Sequence, residues 1–517
     1  MAAFKNGIYQ RYPALILLGI ILLKFIFQYT LLNPAYELQR DEYLHLDQAN
    51  HLAWGFISVP PFSSWIAYMI KLLGNGIFWI RFFPAAFGAL TIVCTWHIAK
   101  RLKGSLYACV LAAIAVCFSS LVRINTLFQP NSFEILAWTF IFYSLVSFVE
   151  TGKNKWLYFT AITIGIGFLN KYNIVFPLIG LFAGLLISSQ RKVFFNKHLY
   201  VALIIFILII LPNIGWQFFH GFPVIQHMKE LSATQLVNNE RGNFIKEQLL
   251  FFIGSIILII ISFFGFAFYK PFHKHRFLFY SYIITIVFYI YLKAKGYYAF
   301  GLYPALIAFG TVYFEYLFSA GWKRLLRGIA IAVVVLMFIP FINIGMPLSS
   351  PMEMKKHNKA LKEMGLLRWE DGKDHDLPQD FADMLGWKEL ALKTDSIYQT
   401  LKDRDHTLIL TDNYGQAGAI NFYAPHIKHA VSFNADYATW FPDLDSISAI
   451  ILIKEAGEQA LSPEEAKHFK KVITAGIVTN PFAREYKTTI SLLLGVDSTI
   501  LPYLKFKAIQ ERKKYMH

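Results

Sequence analysis

The chain has 517 residues, of which 56% are apolar, 17% aromatic and only 16% charged, with a mean hydropathy of +0.44. That composition excludes a string of soluble domains and implies a polytopic α-helical membrane protein. The net charge of +16 does not imply a nucleic-acid partner, because residues 1–350 hold 27 Lys and Arg against 10 Asp and Glu, whereas residues 351–517 hold 22 against 23. The excess sits in the apolar part, where basic residues mark cytoplasmic loops.

Taken in chain order, the first apolar run, near 13–32, is too long for a signal-peptide core and no small-residue cleavage site follows it, so it is read as a retained span. A bilayer core takes about 20 apolar residues per helix. On that basis eleven spans are expected, near 13–32, 77–98, 104–121, 132–149, 156–170, 172–188, 198–217, 247–269, 277–292, 298–318 and 327–345. Basic residues follow every second one: Lys100, Arg101 and Lys103; Lys153 and Lys155; Arg191, Lys192 and Lys197; Lys270, Lys274 and Arg276; Lys323, Arg324 and Arg327. With Lys5 and Arg11 that alternation puts the N-terminus in the cytoplasm and makes 33–76 and 218–246 outer connections. An odd number of spans then carries 351–517 to the outer side of the membrane. Asn170-Lys171-Tyr172-Asn173 interrupts the run 156–188, and a charge at mid-bilayer costs about 2.5–3.5 kcal/mol, so two helices meeting at Lys171 are expected. Cys94, Cys109 and Cys117 lie in apolar runs without a Cys-x-x-Cys pair, which indicates neither a disulfide scaffold nor a structural zinc site.

The chain therefore divides into a membrane domain, 1–350, and a soluble domain, 351–517. In the latter, the β-rich runs 407–411, 429–432 and 447–453 alternate with helix-like stretches at 387–400 and 463–473, the pattern of a small α/β layer domain. The segment Asn413-Tyr414-Gly415-Gln416-Ala417-Gly418 lacks the G-x-G-x-x-G spacing and reads as a tight turn with close packing rather than a nucleotide site. The basic segment 505–514 is expected on anionic lipid or without order.

Acids are scarce in the membrane part, and four of its ten, Glu37, Asp41, Glu42 and Asp47, share the first outer loop. A helix over 41–48 would place Asp41, His45 and Gln48 on one face, with Tyr43, Leu44, Leu46 and Leu52 on the membrane surface. Its acids could equally act as N-terminal caps. Pro60-Pro61 begins a second short helix in the same loop. Glu134 adds a carboxylate near the outer end of the fourth span, and Arg123, Lys171, Arg241, Lys246, Lys293 and Lys295 place cations on the same side. Carboxylates beside cations at a membrane face suit chemistry on a phosphate whose lipid tail stays in the bilayer.

These residues also carry a resemblance. Asp41-Glu42-x5-Gln48-Ala49-x2-Leu52-Ala53-x-Gly55-x4-Pro60-Pro61-x3-Trp65, Arg81-x2-Pro84-Ala85, Gly167-x2-Asn170-Lys171-Tyr172, Pro212-Asn213-x2-Trp216-Gln217-x2-His220-Gly221-Phe222 and Lys295-Gly296-Tyr297-Tyr298-x4-Tyr303-Pro304 resemble the bacterial membrane glycosyltransferases related to protein O-mannosyltransferases and to the lipid A aminoarabinose transferase. The resemblance spans about residues 10–345. It implies a GT-C-like fold, a polyprenyl-phosphate-linked sugar donor, Asp41 as catalytic carboxylate with Glu42 its neighbour, and Lys171, Tyr297, Tyr298 and Arg241 as candidates for the donor phosphate. Glu134, His45, Pro60 and Pro61 complete the candidate substrate site. Two departures stand out: Ser58-Val59 precede the paired prolines where the aminoarabinose branch has Glu-Lys, and Asn131 stands where relatives carry an acid, with Glu134 one turn later.

Such a donor already has a good leaving group, so the enzyme must position an acceptor, take its proton and stabilise the departing phosphate. Asp41 fits the base, and direct displacement inverts the anomeric centre. The acceptor would be an envelope lipid, glycan or protein, and membrane lipids are the other partners. No cofactor is required by this chemistry; a divalent cation on Asp41, Glu42 and Glu134 is the alternative left open. Against these readings stand plainer ones, with Lys171 snorkelling to anchor a helix end, Tyr297 and Tyr298 as interfacial aromatics, and His220 and His227 as loop histidines. The rival function is a transporter or flippase of lipid-linked sugars, which would carry an internal repeat and mid-membrane polar sites.

Overall fold

The computed structural model describes residues 2–234, 239–444, 446–497 and 499–516, so part of the expected outer connection 218–246 lies outside the described residues. The chain forms two compact units: Met1–Leu32 with Asn75–Asn213 and Thr234–Leu348, and Asn33–Gly74 with Ile214–Ala233 and Ser349–His517. The sheet-bearing unit thus takes in the first expected outer loop, as Asn33–Gly74, as well as the tail.

In the helical unit every expected apolar run falls on helix. Among the described residues six helices are long and apolar enough to cross a membrane: Tyr12–Thr30, Ile77–Arg101, Pro130–Thr151, Lys197–Phe219, Gly296–Leu317 and Gly321–Gly345. Two bent pairs are apolar enough only when their helices are taken together, Arg241–Leu250 with Ile253–Phe268 at 66° and Tyr172–Ile187 with Ser189–Phe195 at 103°. The other expected spans are the shorter helices Leu106–Cys117, Lys155–Asn170 and Arg276–Tyr291. Each of the eleven expected runs thus has a helical counterpart, and among the described residues six of these are long and apolar enough to cross as single helices. The break at Lys171 is present: its extended backbone (φ −160°) ends the Lys155–Asn170 helix, and Val175–Ile187 begins after one 3-10 turn.

Large apolar side chains such as Trp138, Phe252, Phe277, Tyr303 and Phe309 fill the core of this unit. Where helices cross, Gly310 meets the Leu258 backbone and Gly184 the Phe277 carbonyl, too closely for any Cβ. Such small-residue contacts let helices approach where lipid leaves little hydrophobic drive. Lys24, buried in the first helix, donates to Gln28 and, at 2.9 Å, to Asn125 Oδ1, so amides replace the water the ammonium has lost.

The second unit is built on a five-stranded sheet, ordered β2-β1-β3-β5-β4, with β1 Thr407–Thr411, β2 Ala430–Ser432, β3 Ala449–Lys454, β4 Phe469–Ile477 and β5 Thr489–Val496. β1 runs parallel to β2 and β3, pairing Ile409 with Ile451, and β5 runs antiparallel to β3 and β4. The runs read as strands at 407–411, 429–432 and 447–453 are β1, β2 and β3. The helix expected over 463–473 is confined to Pro463–Ala466, capped by Ser462. From Phe469 the chain is strand, since the β-branched Val472, Ile473 and Thr474 pair with β5 on the sheet edge. The basic segment 505–514 belongs to the Leu501–Tyr515 helix, anchored by Leu504 packing with Leu408 and Leu452 and by Tyr515 donating to Glu230 at 2.7 Å.

Onto this unit the first loop is bound by backbone and side chain alike. The Glu37 and Arg40 amides donate to the carbonyls of Met384 and Asp383 at 2.8 and 3.0 Å. The Arg40–Asp47 helix then lies across the Tyr414–Tyr423 helix at two glycines, where a Cβ on Gly415 would sit 2.7 Å from Arg40 Cγ and one on Gly418 2.7 Å from Tyr43 Cβ. Close packing is thus the role of the 413–418 glycines, and Asn413 caps the helix they open. Tyr43, Leu44 and Leu46 are buried rather than spread on a membrane surface, with Leu44 packed against Leu390, Ile420 and Tyr437; Leu52 stays exposed.

Candidate active site

The sequence-predicted residues fall in two clusters, one in each unit. In the sheet-bearing unit, the Arg40–Asp47 helix starts with a capping box in which Gln39 accepts from the Asp41 amide at 2.9 Å and Glu42 Oε2 accepts from the Gln39 amide at 2.7 Å. Glu42, expected beside Asp41 as a second catalytic carboxylate, is fully buried with Oε2 in that cap. Asp47 is buried too, accepting from Asn421 Nδ2 at 2.7 Å, Tyr437 Oη at 2.8 Å and Asn50 Nδ2 at 2.7 Å. Glu37 accepts from the Lys388 amide at 2.8 Å, at the start of the Trp387–Gln399 helix. Three of the four loop acids therefore hold the loop together.

Asp41 differs. Its side chain is half-buried, and Oδ1 accepts from the Tyr414 hydroxyl at 2.6 Å. Burial pushes the Tyr414 hydroxyl pKa up, with Arg40 opposing and Asp41 reinforcing the shift, so the phenol stays protonated and donates. The Arg40 guanidinium lies 4.3 Å over the Tyr414 ring, fixing the ring that fixes the carboxylate.

His45 and Gln48 do not share an open face with Asp41. His45 is a packed imidazole whose Nδ1 lies 3.3 Å from Gln48 Oε1; burial lowers its pKa against the pull of Asp41 and Gln48, favouring the neutral ring. Gln48 donates to Asp436 at 2.8 Å, and Asp436 also accepts from the Ile57 amide at 2.6 Å and Ser58 Oγ at 2.7 Å. Pro60 and Pro61 are buried at the head of the Phe62–Leu72 helix, where the Pro61 carbonyl accepts from Ser64 Oγ at 2.8 Å. His45 and both prolines are thus buried within the sheet-bearing unit.

In the helical unit, the chain break at Lys171 and the turn at 296–302 bring four candidates together. Lys171 Nζ lies 3.1 Å from Glu134 Oε2, 2.8 Å from Asn131 Oδ1, and 5.2 and 4.5 Å from the ring centroids of Tyr297 and Tyr298. Asn131 and Glu134 sit one turn apart on the Pro130–Thr151 helix, so both reach the same ammonium. Glu134 Oε1 accepts from Asn173 Nδ2 at 2.6 Å, and Asn173 accepts from the Tyr289 hydroxyl at 3.3 Å. Lys171 is 18% exposed and Glu134 7%, so the pair is shielded but reachable. An ammonium has three N–H donors; Glu134 and Asn131 take two. Arg241 stands apart from this cluster, exposed, its Nε donating to the Ile290 carbonyl at 3.2 Å at the end of the Arg276–Tyr291 helix.

Among the described residues no group of three or more His, Cys, Asp or Glu side chains could hold a metal ion. Glu42 and Glu134, offered as ligands, have oxygens engaged by the Gln39 amide and by Lys171 and Asn173. Sequence reasoning missed Tyr414, Arg40 and Asn173. Asn173 was marked by the polar break it belongs to, whereas nothing near Asp41 in the chain points to a tyrosine 373 positions away.

With this geometry in place, comparison with known proteins decides the fold. The crystal structure of ArnT from Cupriavidus metallidurans in the apo state superposes with a TM-score of 0.61 at 14% identity, covering 92% of this chain and 97% of that one. The ArnT structure bound to undecaprenyl phosphate gives 0.60 at 13% identity, with 93% and 97% covered. The fold is of the GT-C type. A tethered acceptor-peptide complex of the Archaeoglobus fulgidus oligosaccharyltransferase also matches this GT-C fold, with a TM-score of 0.50 at 10% identity over 85% of this chain and 69% of the other. The family described as dolichyl-phosphate-mannose-protein mannosyltransferase matches residues 58–216, which include Pro60, Pro61, Glu134 and Lys171. No curated protein matches in sequence.

Proposed function

We propose that this chain is a membrane glycosyltransferase that moves a sugar from a polyprenyl-phosphate donor to a cell-envelope acceptor on the periplasmic side. The observation that carries the reading is likeness over almost the whole length, tail included, to a structure that holds undecaprenyl phosphate. The family match to a lipid-phosphate-sugar transferase supports it. Within that frame Asp41, the loop acid that is neither a cap nor fully buried, is the base. The acceptor oxygen attacks the anomeric carbon, the bond from that carbon to the phosphate oxygen breaks with its electron pair leaving on the phosphate, and Asp41 takes the acceptor proton. One displacement inverts the anomeric centre. Lys171, backed by Tyr297 and Tyr298, supplies positive charge for the departing phosphate, and Glu134 with Asn131 holds that ammonium in place until then.

The test is mass spectrometry of envelope lipids, glycans and glycoproteins from cells with and without the protein. The reading expects one glycosylated species to vanish, and a polyprenyl-phosphate-linked sugar to accumulate, when the protein is removed. Unchanged envelopes with unchanged polyprenyl-phosphate sugars would overturn it.

A further inference from the structure

The end of the helical unit opposite to Lys171 carries a second constellation, at the basic connections. Glu134 and Glu150 lie on one helix, 16 residues apart and hence separated by roughly 24 Å. Around Glu150 two clefts meet. One, of about 540 Å³, is lined by His97, Lys100, Arg101, Lys103, Tyr143 and Thr151; the other, of about 410 Å³, shares Lys103 and Glu150 and adds Lys274, Arg327 and Tyr316.

The carboxylates here are already committed. Glu150 pairs with Lys274 at 2.9 Å and lies 2.8 Å from His275 Nε2, and Glu315 accepts from the Ser105 amide at 2.9 Å with Arg327 at 3.8 Å. Among the described residues no ion pair involves Lys100, Arg101 or Lys103, and Glu150, the carboxylate lining their cleft, is engaged by Lys274 and His275. Lys103 also adopts the left-handed conformation (φ +65°) just before Gly104, where a glycine would cost about 1 kcal/mol less. Beside the cleft Trp156 lies between Arg101 and Lys155, each 5.4 Å from its ring, and its edge meets Tyr143. Exposed Phe159 and Ile162 continue along the same helix, an apolar track leading from the cations.

We infer that this cleft binds the phosphate of an anionic phospholipid headgroup, with Lys100, Arg101 and Lys103 as its cations and the acyl chains running past Phe159 and Ile162, outside the buried Trp156. Basic pockets between membrane helices bind anionic headgroups through this chemistry, and the apolar track favours a lipid over a free phosphate.

The experiment is native mass spectrometry of the purified full-length protein with phosphatidylglycerol or phosphatidylcholine, with inorganic phosphate as competitor. Wild type should retain phosphatidylglycerol in preference to phosphatidylcholine. Lys100→Gln combined with Lys103→Gly, which keeps a residue suited to the left-handed backbone, should weaken that retention roughly tenfold or more. Lys323→Gln with Arg324→Gln, which removes equal charge outside the cleft, should leave it unchanged. Equal retention of both lipids, equal losses in the two double variants, or binding of inorganic phosphate without phosphatidylglycerol would each overturn the assignment.

Discussion

The two clusters of candidate residues satisfy their charges in opposite ways. Around Lys171 the partners come from helix ends and turns rich in polar residues inside an apolar unit, so the cluster was marked in the chain by the rarity of such groups there. Around Asp41 the partners come from a separate stretch of chain: Tyr414, Asn421, Asp436 and Tyr437 lie more than 370 positions beyond the acids and Gln48 they hold. An ion in a membrane unit advertises itself by its cost, whereas an acid in a water-facing loop is ordinary until its fold is known.

The sharpest break of this contrast is Asp41→Asn. The amide keeps an oxygen for the Tyr414 hydroxyl but cannot take a proton, so sugar transfer should fall by about 10²–10⁴-fold while thermal unfolding in detergent stays unchanged. Asp47→Ala should do the reverse. It strands the buried Tyr437 hydroxyl and leaves the half-buried Asn421 amide with the Ala430 carbonyl alone, so the sheet-bearing unit should lose about 2 kcal/mol, read as earlier proteolysis of the tail. Equal stability of Asp47→Ala and wild type would erase the distinction between the two loop acids.

Glu134→Gln tests the other cluster. It leaves Lys171 with Asn131 but no charge partner, and because Lys171 is not fully buried the loss should be about 2 kcal/mol rather than the larger cost of a fully enclosed pair. Tyr414→Phe should cost about 1 kcal/mol, since the half-buried Asp41 can recover water in place of the hydroxyl. The smallest effect is on pH. Burial raises the Glu389 carboxyl, but Lys393 and the Thr479 and Asn480 donors outweigh it and bring the pKa down to about 2. A folded-state value below the unfolded one gives stability that is present above about pH 4.5 and lost as pH falls toward 2. Glu389→Gln should flatten that acid-side loss in a thermal-unfolding series, and an unaltered slope would remove Glu389 from it.

The fold class was legible because hydropathy, basic alternation and the polar break at Lys171 are all local signals. The span lengths were not, because Leu106–Cys117 and Arg276–Tyr291 are as apolar as full crossings and differ from them only in where the chain turns. Val472-Ile473 misread as helix for a related reason: strand identity came from pairing with Leu493 and Leu492 rather than from its own pattern. In the site, Lys171, Glu134, Tyr297 and Tyr298 were found together, and Asn131 with them. The four loop acids looked equivalent in sequence. Only the fold separates Glu42 as a cap and Asp47 as a tie from Asp41, whose half-buried carboxylate meets a tyrosine.

The most direct test is comparison of polyprenyl-phosphate sugars and glycosylated envelope products in three strains, one lacking the protein, one with wild type and one with Asp41→Asn at equal membrane levels. The product should form with wild type only, the lipid-linked sugar accumulating alike in the other two. Undiminished product in the Asp41→Asn strain would contradict the assignment of Asp41 as the base.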